Sequence, residues 1–260
     1  MLLALDIGNT NITLGVFEKN ELVKTFRLAS DKELSISEYE LLLKTLFENY
    51  NIDSCVIGSV VEELSSILKT ACDNVFKINT FLFSVNNDCG MNIKLKNPKE
   101  VGADRIANAY AAKQKYSLPA IVVDIGTATT FDIISKEGDF LGGVIMPGLN
   151  LQFRSLSINT SKLPHISAGI SEKAIGDSTE NALLSGIMRG SASAIEGLIH
   201  QCELELGEKA TIIATGGHSE LISKYMFRNF DDINPSLTLQ GLKDLYILNT
   251  KEKCSDAVKA

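Results

Sequence analysis

The chain has 260 residues, a formal net charge of −7, a pI near 5.1 and 45% hydrophobic residues. That length allows one large core or two smaller ones, and the acidic balance argues against a dedicated nucleic-acid or membrane surface, which would cluster Lys and Arg. No apolar run approaches the roughly 20 residues of a bilayer span, and Asp6 arrives before a signal-peptide core can form, so a cytoplasmic protein with small-molecule or protein partners is expected.

From the N-terminus, residues 2–6, 11–17 and 22–28 read as a meander of three strands. Ser35-Ile36-Ser37-Glu38 has capping-box spacing and predicts a helix to about Tyr50, with Leu41, Leu42, Thr45 and Leu46 inward. A strand over 55–58 follows, and Ser59-Val60-Val61-Glu62 offers a second capping box before a helix reaching about Cys72. Residues 75–77 and 81–83 read as short strands. The polar stretch 86–98, with its Asn-Asn, Cys-Gly and Asn-Pro breakers, is expected as a loop over a cleft. A helix over 103–115 presents Ala107, Ala111 and Ala112 for close packing, and Ser117-Leu118-Pro119 ends it.

A second meander is predicted at 120–124, 129–134 and 140–145, then a helix at 149–156 and an exposed loop at 160–171. The pattern from 178 to 205 is helical, with Ala182, Gly186, Gly190 and Ala194 on an apolar face that suits either tight core packing or a dimer seam. A strand over 211–214 ends in Thr215-Gly216-Gly217, a weak nucleotide-approach signal by itself. Helices are expected at 219–227 and 237–249. Cys55, Cys72, Cys89, Cys202 and Cys254 lack Cys-x-x-Cys spacing and are expected as reduced thiols. His165, His200 and His218 are isolated, so no metal triad is expected from them.

One pattern is written twice. Leu3–Thr10 reads Leu-Ala-Leu-Asp-Ile-Gly-Asn-Thr and 122–127 reads Val-Val-Asp-Ile-Gly-Thr, with Asp6 and Asp124 118 residues apart (124 − 6). The duplication predicts two related half-domains, 1–117 and 118–260, sharing a cleft. A carboxylate ending a buried strand, followed by a glycine whose backbone can approach a ligand, suits a metal-phosphate site; an ordinary hairpin is the plainer explanation of either copy alone. Gly102-Ala103-Asp104-Arg105 starts a predicted helix, where Asp104 serves either as a first-turn carboxylate or as a proton acceptor beside a carboxylate-binding Arg.

Together with these two motifs and Asp124-Ile125-Gly126-Thr127-Ala128-Thr129, the segments Gly142-Gly143-x-Ile145-x-Pro147-Gly148 and Ile175-Gly176…Thr179 occur in the order and spacing of type III pantothenate kinases. The chain resembles that family over nearly its whole length. The resemblance implies an α/β fold of duplicated RNase H-like domains, as in the acetate kinase/Hsp70/actin superfamily of actin-like ATPases, with an interdomain cleft. It further implies ATP-dependent phosphorylation of pantothenate to 4′-phosphopantothenate, the first step toward coenzyme A. Asp6, Ile7, Gly8, Asn9, Thr10, Asn11, Ile12 and Thr13 would form the ATP phosphate loop, with Asp6 near Mg²⁺ and Thr127 a further ATP contact. Asp104 would accept the pantothenate hydroxyl proton, and Gly102, Ala103 and Arg105 would touch substrate. Asp124 would hold a monovalent cation, K⁺ or NH₄⁺, and Thr179 would reach pantothenate across a homodimer. Leu95 stands where many members carry a pocket-lining tyrosine, so that contact keeps its apolar area without the phenolic hydroxyl. Two alternatives remain at this point: a kinase of the same superfamily acting on another small alcohol, and a non-enzymatic accessory factor in transcription.

Overall fold

The structure, a computed structural model, describes residues 1–256. Two five-stranded mixed sheets organise them. In the first, β1 (Leu2–Ile7), β2 (Asn11–Glu18), β3 (Glu21–Ala29), β4 (Ser54–Ser59) and β5 (Phe81–Phe83) lie in the order β3-β2-β1-β4-β5. In the second, β6 (Ala120–Ile125), β7 (Ala128–Ile134), β8 (Phe140–Pro147), β9 (Thr211–Thr215) and β10 (Asp232–Ile233) lie in the order β10-β9-β6-β7-β8. Each is an antiparallel meander extended by two parallel strands. The central strands β1 and β6 are buried except at their aspartate, which is why both read as unbroken apolar runs instead of alternating ones.

The duplication extends to the register. Asp6 pairs with Thr13 and Asp124 with Thr130, and the ladder between the second and third strands slips at Val16/Phe17 in one sheet and at Ile133/Ile134 in the other. The irregularity thus falls at corresponding places in the two sheets, where a bulge bends and twists the strand.

Among the described residues seven α-helices flank the strands: α1 (Ile36–Leu46), α2 (Glu62–Phe76), α3 (Ala103–Lys115), α4 (Leu149–Asn159), α5 (Thr179–Leu206), α6 (Ser219–Ser223) and α7 (Leu237–Asp256). The capping box before α1 forms, with Glu38 N–H donating to Ser35 Oγ and Ser35 N–H donating to Glu38 Oε2 at 2.8 Å. Its inward stripe is the expected one only in part: Leu42 and Leu46 pack half-buried against the core, but Tyr39, Leu43 and Phe47 are the buried residues, and Leu41 and Thr45 face solvent. Tyr39, Leu43 and Phe47 stand at i, i+4 and i+8, a helical stripe that carries two large rings into the core. The second expected capping box is absent, because Ser59 still pairs with Ile7 in β4 and its Oγ accepts from Val61 N–H at 3.0 Å. Residues 75–77 continue α2, which stops at Lys77 in the left-handed region (φ 58°). Past the diglycine, α6 is shorter than expected and is followed by β10, too short to show a pattern.

By contacts the chain divides at Lys115 and Pro235: one unit comprises Met1–Gln114 and the chain from Ser236 onward, the other Lys115–Pro235. This differs from the expected 117/118 division, which placed the last helix in the second half. Leu237, Leu239, Leu242 and Leu245 of α7 are buried. Leu239 fills the space above Gly15 of β2, and Leu242 packs so closely on Gly58 of β4 that a Cβ there would lie 2.5 Å from Leu242 Cδ2. Gly241 rests on the Ala107 backbone of α3, and Thr238 Oγ1 donates to the buried Asn108 at 2.8 Å. Each unit has its own apolar core, one around Leu5, Ile57 and Leu64, the other around Val123, Phe131 and Ile195. Cys55, Cys72, Cys89 and Cys202 are free thiols; the Cys254 side chain lies outside the described residues. Among the described residues, no helix is long and apolar enough to cross a membrane.

The α7–α3 contact yields a test with opposed signs. Gly241→Ala gains about 1 kcal/mol of helix propensity, but its methyl would collide with a backbone carbonyl that has no rotamer to give way. Overpacking of roughly 1–3 kcal/mol or more wins. Urea unfolding should show a net loss of stability.

Candidate functional site

In the first unit, the turn after β1 is closed by Gly8 N–H donating to Asn11 O at 3.0 Å. A Cβ on Gly8 would lie 3.2 Å from that oxygen, so the turn is tight. Asn9 and Thr10 are exposed and Gly8, Asn11 and Thr13 half-buried; Ile7 and Ile12 are fully buried in the core, so their side chains are out of a ligand's reach. Asp6 sits at the rim of β1 between Thr13 and Gly58. Ser30, just past β3, donates its N–H to Thr10 O at 3.0 Å and its Oγ–H to Gly8 O at 2.6 Å.

Asp104 is the second residue of α3, where free amides and the helix dipole favour an anion. Gly102 lacks the Cβ that would collide with Asp104 Oδ1, and Arg105 N–H donates to the same oxygen at 2.8 Å. The side chain keeps a window to solvent but is otherwise packed around. This desolvation raises its carboxyl above the usual range, against the smaller opposing pull of the Arg105 amide and guanidinium. Val60 links the two features, since its N–H donates to Ile7 O at 3.1 Å and its Cγ1 lies 3.1 Å from where a Gly102 Cβ would be. The first unit thus brings the Asp6 turn and the Gly102–Arg105 helix start together. Neither Val60 nor Ser30 stood out in the sequence; only the 118-residue offset, which maps Ser30 onto Gly148, offered a signal for the latter.

Leu95 is half-buried on the irregular stretch before the 3₁₀ turn Pro98–Glu100. That stretch is anchored upstream. Asn249 of α7 exchanges two hydrogen bonds with the Asp88 backbone (3.0 and 2.9 Å), Lys113 Nζ donates to Gly90 O at 2.8 Å, and Gly90, at φ 64°, lies flat against the Tyr110 ring.

In the second unit, Gly126 N–H donates to Ala128 O at 3.0 Å and Thr127 is exposed at the turn's tip. Two glycines grip this turn. Gly148 N–H donates to Thr127 O at 3.1 Å, and a Cβ on Gly148 would collide with the oxygens of Gly126 and Thr127. Gly216, at φ 86°, lies so close to Asp124 that a Cβ would collide with Oδ1, and His218 N–H donates to Ile125 O at 3.1 Å. The diglycine after β9 is therefore a close-approach site, with a carboxylate of its own chain as the near neighbour. Thr179 is exposed at the start of α5, after the Ser178 cap. Gly176 is wedged against Ala182, and a cavity of about 230 Å³ lined by Ser171, Glu172, Lys173, Gly176 and Asn181 adjoins it.

The sequence matches the model of the type III pantothenate kinase family over residues 2–201. A type III pantothenate kinase of Moorella thermoacetica is 40% identical over 96% of this chain and 100% of its own length. One from Dehalococcoides mccartyi is 39% identical over 95% and 96%. Among solved structures, a Campylobacter jejuni protein named for the Baf family of transcriptional activators aligns with a TM-score of 0.62 at 22% identity, covering 96% of this chain and 99% of that one. The activator of 2-hydroxyisocaproyl-CoA dehydratase from Clostridium difficile, with bound ADPNP, aligns at 0.54 and 12% identity, covering 100% and 97%. At such identities these two likenesses speak for the fold alone.

The raised Asp104 carboxyl has a sign that thermal unfolding can read. Below the ordinary Asp pKa it is neutral in folded and unfolded chains alike. As pH rises through the higher folded value, the folded state must carry a poorly solvated charge and stability is lost. Asp104→Asn, which can still accept from the Arg105 amide, should unfold at a higher temperature than wild type at pH 7, and the gap should close below about pH 4.

Proposed function

This chain belongs to the type III pantothenate kinase family, phosphotransferases that phosphorylate pantothenate in coenzyme A biosynthesis, and from that premise we propose how its own residues divide the work. The amides of the turn formed by Asp6 to Thr13 hold the ATP phosphates, and Thr127 adds a contact from the second turn. Asp104 accepts the proton of pantothenate's primary hydroxyl while that oxygen attacks the γ-phosphorus in line. A new O–P bond forms, the bond to the bridging oxygen breaks, and its electron pair leaves with ADP. Arg105 pairs with the pantothenate carboxylate, Gly102 and Ala103 line the pocket, and Leu95 supplies apolar contact.

What carries this reading is the desolvated Asp104 carboxyl beside the Val60 link to the Asp6 turn. A base with a pKa lifted toward the working pH accepts a proton more readily in the transition state.

Asp6 suits Mg²⁺: a half-buried carboxylate at the rim of β1 is a hard oxygen donor, fitting an ion otherwise held by water and phosphates. When bound, that ion neutralises phosphate charge. Asp124, a hard oxygen donor, is the residue for K⁺ or NH₄⁺. The enzyme works as a cytoplasmic homodimer, and the partner subunit's Thr179 completes the pantothenate pocket. Gly186, Gly190 and Gly197 of α5 face open space, and Ile145, Ile158 and Ile175 of the same unit are 64%, 65% and 86% exposed, which supports a covered face there.

Asp104→Asn should lower kcat by about 10²- to 10⁴-fold with KM for ATP nearly unchanged in steady-state assays; wild-type turnover would remove the base. Turnover should rise with K⁺ or NH₄⁺ over Na⁺ at constant ionic strength, and Asp124→Asn should flatten that response.

A further inference from the structure

We propose that Ser30 is a positioning residue for the phosphate-binding turn, holding its carbonyl oxygens aside so that the turn offers N–H groups to the triphosphate. The inference deepens the reading of residues 6–13 as the phosphate loop and rests on it. Ser30 makes two bonds into that turn, N–H to Thr10 O at 3.0 Å and Oγ–H to Gly8 O at 2.6 Å. Each occupies an acceptor. A carbonyl oxygen left facing a polyanion repels it, whereas amides attract it, so an anion-binding turn needs its acceptors engaged elsewhere.

The repeat separates this role from simple turn closure. Ser30 follows the β3 residue Ala29, which pairs with Asn11, and Gly148 follows the β8 residue Pro147, which pairs with Ala128. At both positions the backbone N–H donates to the tip of the turn, at 3.0 Å to Thr10 O and 3.1 Å to Thr127 O. In the second unit that bond suffices, and any side chain at 148 would collide with the Gly126 and Thr127 oxygens. The hydroxyl is added only in the first unit. Its turn carries one more residue between the paired strands, and Asn9 and Thr10 lie exposed at its tip. A longer, exposed turn has more ways to rotate its peptide planes, and Ser30 Oγ fixes the one at Gly8.

Steady-state kinetics on the full chain with Mg²⁺-ATP and pantothenate test this. Ser30→Ala should raise KM for ATP about tenfold, the size of one ordering hydrogen bond, with kcat and KM for pantothenate within about twofold. Ser30→Thr, which keeps the hydroxyl, should restore KM for ATP. Asp6→Asn is run alongside. If Ser30→Ala keeps the wild-type KM for ATP while Asp6→Asn abolishes turnover, the positioning role is overturned and the phosphate-loop reading stands. If Ser30→Ala instead weakens both substrates equally and lowers the unfolding temperature, Ser30 is merely structural and the inference also fails. If Asp6→Asn turns over ATP as wild type does, the loop reading falls, and this role with it.

Discussion

A carboxylate at the start of a packed helix or at the end of a central strand must sit where buried backbone gives way to solvent, and in each unit of this chain a glycine makes one such position tenable. Asp104 is flanked by Gly102, and Asp124 is pressed by Gly216; in each case a single methyl would occupy the oxygen's place. Glycine removes the steric obstacle and lets main-chain dipoles come close, which is how a protein surrounds a charge without surrendering it to bulk water. The loss of conformational entropy at such glycines is a cost the surrounding sheets must offset.

Within the first unit, the helix α7 ties the sheet, α3 and the segment before Leu95 to one frame. It reaches the first sheet through Leu239 and Leu242, α3 through Gly241 and Thr238, and the segment leading to Leu95 through Asn249. The helix that carries Asp104 in its first turn and the loop that carries Leu95 are therefore both positioned against residues more than a hundred positions away in sequence. Side chains held by packed elements stay closer to a productive geometry than side chains on free loops.

Both meanders, the capping box at Ser35, α3 and α5 were legible because each rests on a local signal: period, cap or turn residue. The repeat offset exposed the duplication, since a pattern of strand, carboxylate and glycine survives in sequence when little else does. What stayed hidden was non-local. The burial of Tyr39 over Leu41 depends on partners elsewhere in the chain: its hydroxyl donates to Asp31 O at 2.7 Å, and it shares a core with Phe47, whose ring meets Phe26 and Tyr50. The return of α7 to the first sheet depends on cavities at Gly15 and Gly58 that no window around residue 240 contains. Within the candidate site, the aspartates and glycines announced themselves, but Ser30 and Val60 act through backbone atoms of other segments, and serine or valine at a strand end is ordinary.

Two carboxylates show how environment separates structure from chemistry. Glu203 is only 4% exposed, and burial pushes its pKa up. Lys209 Nζ at 2.7 Å, Arg228 at 2.9 Å and the Ala210 N–H outweigh that and hold it below the ordinary range. Lys209 and Arg228 are themselves largely exposed, so their charges remain hydrated while the glutamate stays ionised. A carboxylate so well satisfied binds a proton poorly, and Glu203 serves to tie the end of α5 to the chain around β9. At Asp104 the balance runs the other way, because one amide and one guanidinium contribute less than desolvation removes. In the proposed reaction that raised carboxyl is what an in-line transfer from ATP to an alcohol would ask of Asp104, and it follows from a fold that removes more solvation than it returns in hydrogen bonds and charge.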